Sequence, residues 1–298
     1  MCANSAERRP RCAARLLAAF AWLSGLGLPV LLGLAISFLI ARGGSTLGPS
    51  LLFGDVPALA ALTGRAPVFD GLWPALAGTL ALVVGTCLIA LPVGIASGIY
   101  LSEFARGRWA RLVNLCVDVL AAVPSILMGL LGFGLILLLR RTLLPDAGTC
   151  LLLAIACMAL LVLPYSIRTT EAALQGLPEP LRLIGPSLGL TPKQNLCRVL
   201  LPTSSRGVLG GAVLTIGRAA EDLAVILLTG VVASSGLPAG LTSRFEAIPF
   251  RIFYLASEHR TGAELELAFG AAVVLMGLTA FLFGLAHLLH GGLRRRIL

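Results

Sequence analysis

Three charged residues interrupt an otherwise apolar run: Arg218, Glu221 and Asp222. If the run is helical, Arg218 faces Asp222 at i,i+4 and Glu221 at i,i+3. An arginine at the centre of a membrane span costs about 2.5–3.5 kcal/mol on insertion scales, so it needs a partner or a task. One acid neutralises it and the other is left over. Two readings stand side by side. The group is a structural ion pair holding a helix bundle, or it lines a pathway. On a pathway, the guanidinium offers paired donors to an oxyanion. The carboxylates then accept from a protonated substrate oxygen or hold the arginine in place. Upstream, Pro124-Ser125 lies inside another apolar run. A proline within a helix frees a carbonyl and bends the chain, which is tolerated where a neighbour or a water-lined cavity satisfies the backbone. Ser125 is then a candidate pathway hydroxyl, with a simple packing kink as the alternative. Pro92 and Pro164 take the same packing reading.

The polar segment Arg168–Arg206 is the other informative stretch. Thr169 or Thr170 can cap a helix starting at Glu171, whose acid suits the first turn. Pro178 and Pro180 interrupt it. Leu181–Leu188 forms a short helix, Gly189 supplies the turn after it, and Thr191-Pro192 restarts a helix as N-cap and first residue. Pro202 marks re-entry into the next apolar run. The segment therefore reads as an ordered helix–turn–helix, suited to docking a partner. Asp118 either snorkels or pairs with Arg111.

Other chemistry is excluded by what the chain lacks. Its one lysine, Lys193, follows Pro192, and no GxxxxGK[ST] is present, so the chain has no P-loop for ATP. No HExxH occurs. The seven cysteines (2, 12, 87, 116, 150, 157 and 197) show no CxxC spacing and read as small hydrophobes. His259, His287 and His290 have no metal-type spacing and read as interfacial histidines.

The elements that must position these residues are transmembrane. Of 298 residues, 57% are hydrophobic and only 12% charged, and the mean hydropathy is +0.95. Soluble domains carry about 25% charged residues, so this surface must face lipid. The fold class is all-α, a polytopic membrane protein of about six spans: Leu16–Ile40, Pro74–Leu101, Leu112–Leu139, Thr149–Ile167, Gly207–Val232 and Leu265–Leu289. The first run is too long for a signal-peptide core and reads as an uncleaved span. Placing both termini inside puts fifteen Arg/Lys in cytoplasmic segments and seven outside (Arg42, Arg65, Arg140, Arg141, Arg244, Arg251, Arg260), as the positive-inside rule requires. The net charge of +9 follows from that rule and not from nucleic-acid binding. Two outer loops, Ala41–Trp73 and Ala233–Glu264, are long. In the second, Phe245–Phe250 is too apolar for a tether and packs on the outer mouth or against an outside partner. Gly94/Gly98 and Gly207/Gly211 are small-x3-small pairs that let helices approach closely. The organisation expected is a first segment over 1–73, a transmembrane domain over 74–290 with the 168–206 loop, and a basic tail over 291–298.

The run Leu183-Ile184-Gly185-x3-Gly189, followed by Val199-Leu200-Leu201-Pro202, resembles the EAA loop of ABC-importer permeases, E-A-A-x3-G-x9-I-x-L-P. The glycine and the Leu-Pro match. Leu183 stands where the family has Glu, and Ile184 and Gly185 replace its alanines. Arg182 or Glu179 is the candidate substitute for the missing polar contact. Four further segments resemble the phosphate-importer permeases, in order: Gly98-Ile-Tyr-Leu-Ser-Glu-Phe-Ala, Val117–Gly132 with its Val-Pro-Ser core, Arg168-Thr-Thr-Glu-Ala-Ala-Leu, and Gly217-Arg-Ala. Their order and the Ala247-Ile-Pro-Phe loop are most similar to the A-type (PstA-like) subunit. In that family R-A-x-G-E-T stands where this chain has Arg218-Ala-Ala-Glu221-Asp222-Leu223, so Asp222 matches the family's Glu and Glu221 replaces a Gly.

The resemblance implies a type I ABC-importer permease fold and a non-enzymatic subunit in a bacterial cytoplasmic membrane, transporting phosphate by alternating access. It implies a second permease (C-type, or a second copy), two ABC ATPases that use ATP and Mg, and a periplasmic phosphate-binding protein. The chain itself binds no cofactor. The docking residues implied are Arg182, Leu183, Ile184, Gly185, Gly189, Leu201 and Pro202, and the pathway residues are Arg218, Glu221, Asp222 and Ser125. A permease for sulfate, molybdate or tungstate is the near alternative. A proton-coupled secondary transporter using Glu221 and Asp222 is the more distant one.

Overall fold

The computed structural model describes residues 8–62, 66, 68–69, 71–142 and 145–297. The side chains of 8–13, 16, 62 and 289–297 are outside that description. Arg65 and Cys2, and the side chains of Cys12, His290 and Arg294–Arg296, thus lie beyond that description.

The helices are α1 Arg8–Gly43, α2 Pro49–Phe53, α3 Ala58–Leu62, α4 Trp73–Ile99, α5 Gly107–Ala122, α6 Ser125–Thr142 and α7 Leu151–Gln175. They continue as α8 Glu179–Ser187, α9 Pro192–Asn195, α10 Leu201–Glu221, α11 Ala224–Thr229, α12 Ile248–Glu258 and α13 Gly262–Ile297. Among the described residues, six helical stretches are long and apolar enough to cross a membrane, as the composition demands.

The central helix is α7, against which α4 and α10 both pack, and these two also touch each other. Small residues explain both seams. A Cβ on Gly94 or Gly98 would collide with Ser166, with the Ile167 carbonyl and with Thr170. A Cβ on Gly207 or Gly211 would meet Ala173 and Thr169. Both small-x3-small pairs thus face α7, and without side chains there the helix backbones come close enough for dispersion contacts along their length. Helix α1 lies outermost, along α13, with Phe38 edge-on to Phe269 at 5.7 Å. Its apolar surface is otherwise exposed, as expected of a lipid-facing span. Pro92 and Pro164 sit inside unbroken helices.

Three expectations are corrected. The predicted span over 112–139 is two helices. Val123 is extended (ψ 124°), because a residue before proline is pushed out of the helical region, and α6 begins afresh at Ser125. The preceding α5 carries Arg108 and Arg111 and exposes Trp109, Leu112 and Leu115, so it is amphipathic and not a span. The predicted span over 207–232 stops at Glu221, where Asp222 turns extended (ψ 114°). The helix thought to begin at Glu171 is the continuation of α7, which runs unbroken to Gln175. Once burial supplies the stabilisation, no cap at Thr169 is needed, and its hydroxyl donates back to the Tyr165 carbonyl instead.

The end opposite the 168–206 loop is closed by residues 230–247. Val232 N donates to the Phe245 carbonyl (3.0 Å), while Leu151 N and Leu152 N donate to the Ser243 and Leu241 carbonyls (3.0 and 2.8 Å). Phe245, Ala247 and Ile248 are fully buried, and Ile248 N donates to the Thr79 hydroxyl at 2.9 Å. The apolar Phe245–Phe250 stretch therefore packs on this end of the bundle, against α4.

Candidate functional site

The helix break at Asp222 organises the charged group. One Asp222 oxygen accepts from Arg218 Nη2 at 2.8 Å. The other accepts from Val225 N at 3.1 Å, capping α11. The aspartate side chain is 3% exposed and that of Arg218 is 41% exposed. One carboxylate thus neutralises the cation and restarts the backbone ladder where the helix fails. A short acid serves both purposes, because Asp reaches its own downstream N–H groups from a non-helical backbone. Beside this break, Gly129 of α6 lies against the Ala224 and Val225 carbonyls, where a Cβ would come within 3.0 Å of each. Ser125, half-buried, begins the same helix one turn earlier. Glu221 is exposed and makes no ion pair among the described residues. The structure brings together Arg218 and Asp222, and leaves Glu221 on another face.

The docking loop folds largely as its turn signals predict. Gly189 has φ +72°. Leu190 N donates to the Gly185 carbonyl (2.9 Å) and Gly189 N to the Pro186 carbonyl (3.0 Å), the pair of hydrogen bonds that ends a helix in a left-handed residue. Thr191 caps α9 in a reciprocal capping box with Gln194. Leu183, Ile184 and Leu188 are 56%, 41% and 73% exposed, an apolar ridge directed away from the bundle. Gly185 is buried against Asn195. Leu201 packs with buried Leu174, Leu196 and Leu200, and Pro202 is half-buried beside it. These two residues anchor the loop. Arg182 does not supply an outward polar contact: it turns inward to Glu103 at 3.0 Å. Glu179 remains exposed in the first turn of α8.

Sequence reasoning missed one polar knot. Arg168 donates to Asp118 (2.5 Å), Glu171 (2.6 Å) and Asn114 Oδ1 (2.6 Å), binding α5 to α7. Asp118 therefore pairs with Arg168, not Arg111. The i,i+3 spacing of Arg168 and Glu171 was readable; the partners fifty residues away were not. Glu246 was also missed. It is 2% exposed and accepts from Gly236 N at 3.0 Å. Burial pushes its carboxyl above the usual carboxylate range, against the Gly236 and Ser235 N–H groups and Arg251, which pull it down. Among the described residues no group of three or more His, Cys, Asp or Glu could hold a metal.

Comparison with known proteins agrees with this architecture. Residues 90–295 match the family described as binding-protein-dependent transport system inner membrane component. The chain is 28% identical over 227 residues to the phosphate transport system permease protein PstA 2 of Mycobacterium tuberculosis, covering 76% of this chain and 73% of that one. It is 32% identical over 187 residues to PstA of Yersinia pestis, covering 62% and 61%. Among solved structures, a bacterial ABC transporter that imports alginate superimposes with a TM-score of 0.57 at 18% identity, over 95% of this chain and 99% of the other. The MetNI methionine transporter superimposes with a TM-score of 0.52 at 20% identity, over 82% and 100%. The six apolar helices, the broken fifth span and the ordered loop between the fourth and fifth spans are therefore those of an ABC-importer permease, and the chain belongs to the binding-protein-dependent transport system inner membrane component family.

Proposed function

We propose that this chain is one of two membrane-spanning subunits of an ATP-driven importer that moves inorganic phosphate across a bacterial cytoplasmic membrane. The observation that carries the reading is its 28–32% identity to permeases named for phosphate transport. Arg218 fits such a pathway: a half-exposed guanidinium held by a buried carboxylate keeps donors free for an anion. Asp222 orients it, and Ser125 and Glu221 are further candidate pathway residues. Both termini and the 168–206 loop face the cytoplasm, and Leu183, Ile184 and Leu188 receive an ABC ATPase. Two such ATPases consume ATP and Mg, a second permease completes the pathway, and a periplasmic phosphate-binding protein delivers the anion near residues 230–260. ATP closes the ATPase dimer, the loop transmits the motion, and the spans alternate between outward- and inward-facing states.

The test is uptake of labelled phosphate at low concentration in cells with and without this gene, with sulfate, molybdate and arsenate as competitors. ATP-dependent uptake that only arsenate competes supports the reading. Competition by sulfate or molybdate assigns another oxyanion. Uptake that survives ATP depletion but collapses with the proton gradient refutes the ABC mechanism.

A further inference from the structure

The geometry points to Arg182 and Glu103 as a strut that carries motion from the docking helix α8 into the inner end of α4. The inference rests on the ATPase-driven reading above and names the positioning residues that make it work. A partner pressing on the exposed ridge of α8 can move the spans only through contacts on the opposite side of that helix. Arg182 provides them. Its Nη1 donates to both Glu103 oxygens, at 3.0 and 3.2 Å, and its Nη2 donates to the Leu174 carbonyl, in the last turn of α7, at 2.6 Å. One planar guanidinium therefore ties α8 to two spans at once, which the point charge of a lysine does less well. The pair is largely shielded, with 28% of the Arg182 and 15% of the Glu103 side chain exposed, so solvent weakens it little.

The two ends of the strut are stiff. Asn195 donates to the Arg182 carbonyl at 3.2 Å, and a Cβ on Gly185 would lie 2.1 Å from Asn195 Oδ1. Helices α8 and α9 are thus locked into one body. At the other end, Glu103 sits in a widened π-turn, Tyr100–Phe104, that continues α4 without a break, and Ser102 donates to its carboxylate at 2.8 Å. Turns of this kind recur at functional positions in helices. Helix α4 then runs the length of the bundle to Gly78 and Thr79, which abut the Glu246 carbonyl and bind Ile248 N. A displacement of α8 therefore reaches the loop closing the far end through one ion pair and one helix.

The test uses the complete transporter reconstituted in vesicles, with Glu103→Gln, Arg182→Gln, and the double variant Arg182→Glu with Glu103→Arg. Two quantities are read: phosphate moved per ATP hydrolysed, and stimulation of ATP hydrolysis by the loaded binding protein. Coupling free energies between sites correspond to factors of about 5 to 150. Each single variant should lower phosphate per ATP by about fivefold or more while the ATPases still co-purify. The charge swap should regain part of the loss, though not all, because the Leu174 carbonyl stays without its donor. Single variants with the wild-type ratio overturn the strut. So does loss of the ATPases from both single variants, which would make the pair a brace for the platform. A wild-type complex that hydrolyses ATP but moves a different anion refutes the phosphate reading alone, and the strut is then judged by that anion's ratio.

Discussion

Asp222 serves two partners, and two substitutions separate them. Asp222→Asn keeps an oxygen for Val225 N but loses the charge facing Arg218. Asp222→Ala loses both. A hydrogen bond to a charged group contributes about 1.5–3 kcal/mol and a neutral one about 0.5–1.5. The asparagine variant should therefore cost about 1 kcal/mol, at the low end because the Arg218 guanidinium is 41% exposed and partly screened. Alanine removes the whole charged bond, about 2 kcal/mol, and a helix cap of about 1 kcal/mol. Its cost should be about 3 kcal/mol. The assay is thermal inactivation of the purified transporter, with uptake per inserted protein alongside. Stability should fall in the order Asp, Asn, Ala, and uptake should fall in both variants because Arg218 is no longer held. If alanine is as stable as asparagine, Asp222 is not capping α11. If both variants match the wild type in stability and uptake, the ion pair has no role in the pathway.

Other perturbations follow from the same geometry. Gly189 has φ +72°, so Gly189→Ala should cost about 1–2 kcal/mol in a left-handed position, whereas Gly189→Asn should keep most uptake. Uptake assays on both variants check this, and equal uptake by both refutes the turn argument. Gly185→Ala drives a methyl into Asn195 and should cost about 1–3 kcal/mol by overpacking, read as weakened co-purification of the ATPase. Glu246 binds its proton more readily in the folded chain than at the ordinary 4.5. Its contribution is therefore fullest below about 4.5 and is lost as pH rises through the folded value. Glu246→Gln should abolish this fall, so its melting temperature should gain on the wild type from pH 4.5 to 7; a constant gap refutes the assignment. Cys197 is exposed in the docking loop while Cys157 is buried. An impermeant maleimide should label Cys197 in inverted vesicles and not in intact cells, and the reverse would overturn the orientation.

Most of the membrane architecture was legible in the sequence because lipid imposes a local rule. Each span must carry about 20 apolar residues, and the chain shows this without any knowledge of neighbours. The docking loop was legible for the same reason. Gly189, Thr191 and Pro192 act on their own backbone, and the turn and capping box formed where they stand. The two misplaced spans failed at Pro124 and Asp222, where apolar composition continues but backbone hydrogen bonding does not. Hydropathy is blind to that difference.

Tertiary structure alone decided which charges meet. Arg218 and Asp222 were adjacent on one helix face and were found together. Arg168 with Asp118 and Asn114, and Arg182 with Glu103, join residues 50 to 79 positions apart. An ion pair has a range of a few ångströms and no signature along the chain, so only the packing of α4, α5, α7 and α8 could bring these partners together. Glu246 makes the same point for a single group. Its type could be read from the sequence, but its burial, and hence its raised affinity for a proton, exists only once residues 230–247 fold over the ends of α4 and α7.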